Sequence, residues 1–189
     1  MDFWKGKKIL LRAVRMDDLH TYFFSKESRD YESDQKSDRV IFPAGELKMR
    51  ERVESLSKRS PYDDEYFLII EDLNGNPVGS INTHHIERIH GTFELGFSIR
   101  KKYHRKGYAT EAVELVLKFY FFELGFKKVE TRVYSFNGES IAFHENFGFK
   151  REGILRRNHF AANEYHDTIC FGLLKDEFMN IHSTTQAES

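Results

Sequence analysis

The sequence is poor in the residues that commit a chain to special frameworks. A single cysteine, Cys170, excludes an internal disulfide and any four-cysteine zinc site. Prolines are few, and Pro43, Pro61 and Pro77 each fall beside a predicted break. No apolar run approaches the roughly 18 residues of a membrane span. The start, Met1-Asp2-Phe3-Trp4-Lys5-Gly6-Lys7-Lys8, has no apolar core of a secretory signal. Neither sign of charge dominates: 29 basic against 30 acidic side chains leave −1, which gives no global footprint for nucleic acid. Together these absences read as a soluble cytoplasmic protein, with neither nucleic acid nor membrane as partner. What is abundant is apolar and aromatic: 40% hydrophobic and 15% aromatic residues over 189 positions, enough to pack one domain.

Periodicity divides the chain into alternating elements. Lys8 to Val14 reads as a first strand, and Asp17 and Asp18 supply carboxylates at the start of a helix through Leu19, Tyr22 and Phe23. The acidic stretch from Glu27 to Asp38 reads as a mobile loop, either a plain solvated connection or a lid facing substrate. A helix is predicted from about Gly45 to Lys58. Tyr66–Ile70 and Val78–Thr83 form a hairpin across Asn74-Gly75-Asn76-Pro77. In Thr92–Ile99, Phe93, Leu95, Phe97 and Ile99 alternate with Glu94, Gly96 and Ser98, and the interior Gly96 marks a close approach. A long amphipathic helix follows from Tyr108 to Leu124, ended by Gly125. Next come a strand at Lys128–Tyr134, a helix from about Glu139 to Phe147 closed by Gly148, and strands around 149–155 and 168–174. The residues from about His182 onward look frayed. The order of elements is mixed α+β.

The chemically informative stretch is Tyr103-His104-Arg105-Lys106-Gly107-Tyr108-Ala109-Thr110. It is a basic turn standing between a strand and the first turn of a long helix. Unpaired amides and the helix dipole at such a start favour phosphate, and Gly107 lets a ligand approach the backbone. Neither GxxxxGK[ST] nor GxGxxG is present.

This turn resembles the acyl-CoA pyrophosphate loop of the GCN5-related N-acetyltransferase (GNAT) superfamily, Q/R-x-x-G-x-G/A. Gly107 and Ala109 match, and His104 stands where Gln or Arg is usual. Asn137-Gly138-Glu139-Ser140 followed by Asn146-Phe147-Gly148-Phe149 is similar to the family's N-x-x-S…G-F segment. Leu11 to Leu19, Arg151-Glu152-Gly153 and Glu164 to Thr168 resemble the subgroup of ribosomal-protein N-terminal and spermidine acetyltransferases.

The resemblance implies a GNAT domain over residues 8–178, with a mixed, mainly antiparallel central sheet flanked by helices, followed by a polar tail, 179–189. It implies acetyl-CoA as co-substrate and no metal. Phe97, Ser98 and Ile99 are expected to offer backbone groups to pantetheine and to the thioester oxygen. His104, Arg105, Lys106, Gly107, Tyr108, Ala109 and Thr110 are expected to hold the pyrophosphate, and Asn137 and Ser140 to orient the CoA arm. Direct transfer to nitrogen needs a base and benefits from an acid. Glu94, on the polar face of its strand, is the candidate base. The slot for the family's usual tyrosine acid, seven residues after Asn137, holds His144, whose imidazolium could donate instead. The acceptor is a small-molecule amine or a protein N-terminus. A ribosomal-protein-alanine type of N-terminus leads, a polyamine is the alternative, and a non-catalytic acyl-CoA-binding module is the reading from another class. A homodimer is left open.

Other residues carry less. His84 and His85 are adjacent and in a strand point to opposite faces, which argues against a shared zinc ion. Cys170 sits in a predicted interior strand, where free cysteines are commonly buried. Phe119-Tyr120-Phe121-Phe122 reads as packing.

Overall fold

Alternating apolar residues, the Asn74-Gly75 turn and helix-ending glycines give the chain seven strands and four helices among the residues described. The computed structural model describes residues 3–24, 43–60, 62–63 and 65–183. The strands are β1 (Ile9–Ala13), β2 (Phe67–Asp72), β3 (Pro77–Glu87), β4 (Thr92–Ile99), β5 (Lys128–Tyr134), β6 (Lys150–Ala161) and β7 (Glu164–Leu174). The helices are α1 (Glu46–Ser57), α2 (Tyr108–Lys118), α3 (Gly138–Phe147) and α4 (Lys175–Ser183). The strands form one sheet in the order β1-β2-β3-β4-β5-β7-β6. The pairs β1–β2, β2–β3, β5–β7 and β6–β7 are antiparallel and β4–β5 is parallel. This is the mixed, mainly antiparallel α+β architecture expected. The acidic 27–38 stretch lies outside the described residues.

The chain forms two compact units, one of Met1–His84 with Gly96–Val116, the other of His85–Leu95 with Leu117–Ser189. In the first, Val14, Leu19, Val53 and Ile69 make a buried cluster with Tyr22, Phe23, Met49, Leu56 and Phe67 against it. The β2–β3 turn is tied by Asp72, whose Oδ1 accepts from the Asn74 and Asn76 amides at 3.0 and 2.9 Å, while Gly75 takes φ 83°. Leu19–Phe23 is a short π-helical turn rather than a full helix, and the Asp18 side chain does not cap it. That carboxylate is committed elsewhere. It accepts both guanidinium nitrogens of Arg12 at 2.8 Å and the Arg15 amide at 2.7 Å, and Arg12 also donates Nε to Glu71.

In the second unit, Phe93 stacks on Tyr120 with centroids 3.9 Å apart and meets Phe126 edge-on at 5.6 Å. The long helix ends as an α-helix at Lys118 and continues as a π-helical turn, Phe119–Glu123. Tyr120 and Phe121 of that turn are both buried, as are Leu115, Val116 and Leu117 before it. Helix α3 is capped by the Asn137 side chain, which accepts from the Ser140 amide at 3.2 Å, and is closed by Gly148 at φ 108°.

The closing hairpin is longer than the sequence pattern indicates. Ala162 and Asn163 both have positive φ, 51° and 65°, as a two-residue primed turn demands, and they join Ala161 to Glu164. Ala-Asn lacks the usual glycine, and most of β6 is exposed, so neither turn chemistry nor alternation announces it. Helix α4 extends through Ser183, into the segment read as tail, and residues 184–189 lie outside the described residues.

Asp18 is 2% exposed, and its removal leaves the Arg12 guanidinium and the Arg15 amide short of an acceptor. Asp18→Ala is expected to lower stability by about 3 kcal/mol, measured as a fall in the urea midpoint at unchanged slope.

Candidate active site

In the first unit the basic turn is shaped by its backbone. Arg105 and Gly107 both adopt positive φ, 60° and 80°, with Lys106 between them. Alternation of this kind curls successive amides toward one point, the geometry of an anion nest. Tyr108, Ala109 and Thr110 then form the first turn of α2, and the Glu111 amide closes it on the Gly107 carbonyl at 3.2 Å. The Nε2 of His104 donates to the Ile99 carbonyl at 2.8 Å, tying the loop to the end of β4. The ammonium groups of Lys102 and Lys106 lie 4.9 and 5.1 Å from the Tyr103 ring centre. Phe97 and Ile99 are half-buried on β4, and Ser98 is exposed.

An anchor that sequence reasoning passed over is Glu111. Its carboxylate accepts the backbone amides of Lys7, Lys8 and Ile9 at 2.6, 2.8 and 3.0 Å. The Lys8 ammonium in turn donates to the Lys106 carbonyl at 3.1 Å. The only sequence signal for this is an acid in the first turn of a helix, which is common for dipole reasons alone.

In the second unit, Glu94 closes the β4–β5 ladder. Thr92 registers with Lys128, Phe93 with Val129 and Glu94 with Glu130, and both strands run on beyond. A cleft of about 390 Å³ is lined by His85, Glu87, Thr92, Phe93, Glu94, Glu130 and Arg132. The Glu94 side chain is 12% exposed, and its Oε1 accepts from Arg132 at 3.2 Å and lies 3.1 Å from His85 Nδ1. Arg132 was legible, since it alternates with buried Thr131 and Val133 and shares a face with Glu130. His85 was not. Its φ of 49° breaks the alternation of β3, so the argument that His84 and His85 must face opposite ways does not hold here.

His144 also departs from expectation. It is 3% exposed, stacked on Phe171 with centroids 5.4 Å apart and set edge-on to Phe149. Nδ1 donates to the Ser140 carbonyl at 2.7 Å, which fixes the neutral tautomer with its proton on Nδ1. Burial pulls its pKa down from 6.5 to about 4, against a smaller opposing effect of the Ser140 bond. A neutral, enclosed imidazole is the opposite of the imidazolium that the acid role requires. The signal lay in the apolar stripe of α3, where His144 falls in step with Ser140 and Phe147. Cys170, in β7, is half-buried.

The second unit thus holds a parallel strand pair that ends at a carboxylate, and the first a glycine-curled basic turn that opens a helix. Residues 8–150 match the acetyltransferase (GNAT) domain family, and the chain belongs to it: it is a GNAT acetyltransferase. It is 38% identical over 176 residues to the SPbeta prophage-derived uncharacterized N-acetyltransferase YokL of Bacillus subtilis (strain 168), covering 93% of this chain and 95% of that one. It is 30% identical over 105 residues to YdaF of the same organism, named as a candidate ribosomal N-acetyltransferase, covering 56% and 57% of the two. Its fold superposes on the crystal structure of spermidine N-acetyltransferase from Vibrio cholerae in complex with CoA and spermine. The TM-score is 0.78 at 22% identity, covering 93% of this chain and all of that one. No helix among the described residues is long and apolar enough to cross a membrane.

The environment of His144 makes stability depend on pH. Between pH 6.5 and about 4 the unfolded chain binds a proton at this residue that the folded chain does not, so stability falls as pH falls. Between pH 7.5 and 5 the loss from this group is expected to be about 2 kcal/mol. Urea midpoints at the two pH values should converge in His144→Leu relative to the unaltered protein.

Proposed function

We propose that the protein transfers acetyl from acetyl-CoA directly to a primary amine, a protein N-terminus before a polyamine, and that Glu94 takes the proton the incoming ammonium must lose. The observation that carries this reading is a largely buried carboxylate at the end of the β4–β5 ladder, opening on a charged cleft. Nitrogen attacks the thioester carbonyl only as the neutral amine. The C–N bond forms, the C–S bond breaks, and the nitrogen's second proton passes to the leaving thiolate, directly or through solvent, to give the free thiol of CoA. Amides of Phe97 to Ile99 take the pantetheine as an added strand does, and one of them stabilises the oxyanion. His104 to Thr110 bind the diphosphate through backbone amides, aided by Arg105 and Lys106. Asn137 and Ser140, at the cap of α3, orient the CoA arm. His144 supports this cap from inside rather than supplying an acid. The use of acetyl-CoA implies a cytoplasmic setting.

Arg132 favours the N-terminus. A peptide brings one ammonium together with carbonyls that a guanidinium can bind, whereas the remaining cations of a polyamine are repelled by it. Glu87, Glu94 and Glu130 around the same cleft favour the polyamine, and so does the spermine-bound neighbour. Thiol release from acetyl-CoA with alanine- and serine-initiated peptides and with spermidine separates the two. A higher kcat/KM is expected for a peptide, and preference for spermidine reverses the order. Glu94→Gln is expected to lower kcat at neutral pH by on the order of a hundredfold, and full activity rejects Glu94 as the base.

A further inference from the structure

Glu94 cannot release a proton unaided into bulk water as easily as a surface carboxylate does, because its side chain is 12% exposed. Each turnover with an ammonium acceptor nevertheless deposits one proton there. At least two groups touch the same oxygen, Oε1. Arg132 is one, at 3.2 Å, and a guanidinium stays protonated in proteins, so it holds the carboxylate without carrying protons away. His85 is another, with Nδ1 at 3.1 Å and a side chain 67% exposed. One end of that imidazole therefore touches the buried oxygen while much of the ring meets solvent. Its placement depends on an uncommon backbone. A φ of 49° at a non-glycine residue is a sparsely populated conformation, and it breaks the strand alternation at this position.

We propose that His85 is the proton exit of this site, a relay between Glu94 and solvent. The proposal rests on Glu94 being the base. The substrate ammonium gives a proton to the Glu94 carboxylate. The carboxylic acid passes it to Nδ1 of the neutral imidazole in its Nε2–H form, and the imidazolium sheds the Nε2 proton to buffer. The remaining Nδ1–H donates to Oε1, and exchange with solvent restores the starting tautomer. Atoms and charge balance with one proton delivered to bulk. The other charged groups of the cleft are Glu87, Glu130 and Arg132, and Glu130 is itself held by Lys128 at 3.0 Å.

The test is His85→Asn, assayed in weak buffer with the amine that turns over best in the panel above. The relay predicts a fall in kcat on the order of tenfold, an unchanged KM for acetyl-CoA, and recovery when imidazole is added. An unchanged kcat, or a loss that imidazole does not restore, overturns it. The Nδ1 resonance of His85 in nitrogen-15 spectra should also move in Glu94→Gln, and an unmoved signal overturns the contact. Full activity of Glu94→Gln removes the base itself. An inactive Glu94→Gln beside a fully active His85→Asn removes the relay alone.

Discussion

One carboxylate holds the first strand to the helix that follows the basic turn. Glu111 accepts three consecutive amides at the start of β1, and it sits one turn into α2, where negative charge is favoured by the helix dipole. Residue 6 must be small for this, since a Cβ on Gly6 would lie 2.4 Å from the Glu111 Cδ. Lys8 completes the arrangement by reaching the Lys106 carbonyl in the middle of the turn. The curl at Arg105 and Gly107 is thus braced from the strand as well as from the helix. A site built on backbone amides needs such bracing, because amides cannot be adjusted one by one as side chains can.

The second unit solves a different problem, how to keep a largely buried carboxylate paired at the edge of a cleft. Glu94 is enclosed, but a guanidinium and an imidazole share one of its oxygens. Removing either partner changes what the carboxylate can do, since buried charge is tolerated only where it is paired. His144 shows the contrasting outcome. Surrounded by Phe143, Phe149 and Phe171, it meets burial by staying neutral. Two titratable residues were singled out in the sequence as an acid–base pair, and the fold gives them opposite environments.

Much of this was readable beforehand. Thr92–Ile99 and Lys128–Tyr134 are delimited by alternation and turns, and the structure bounds them at those residues. The turn before Tyr108 and the Asn137 cap were legible because glycine and asparagine have local reasons to stand there. What escaped depended on tertiary context. Asp18 looked like a helix cap and instead binds Arg12, six residues before it in sequence and facing Glu71 on another strand. The π-helical turn after Lys118, whose Tyr120 packs on Phe93 and Phe126, has no local signature in the sequence. His85 was misjudged because strand alternation was assumed through a residue whose backbone is left-handed.

The outermost strand, β6, has a consequence of its own. Twelve residues long and mostly exposed, it displays Ile154, Leu155 and Phe160 beside a row of backbone groups on the sheet's rim. Such a rim invites foreign strands to add on and grow into insoluble stacks. Two register breaks, at Arg151/Gly153 and Leu155/His159, interrupt its regularity, and Arg156 and Arg157 add positive charge within the second. Irregular spacing and mutual repulsion together keep an exposed, greasy border from acting as a template for aggregation.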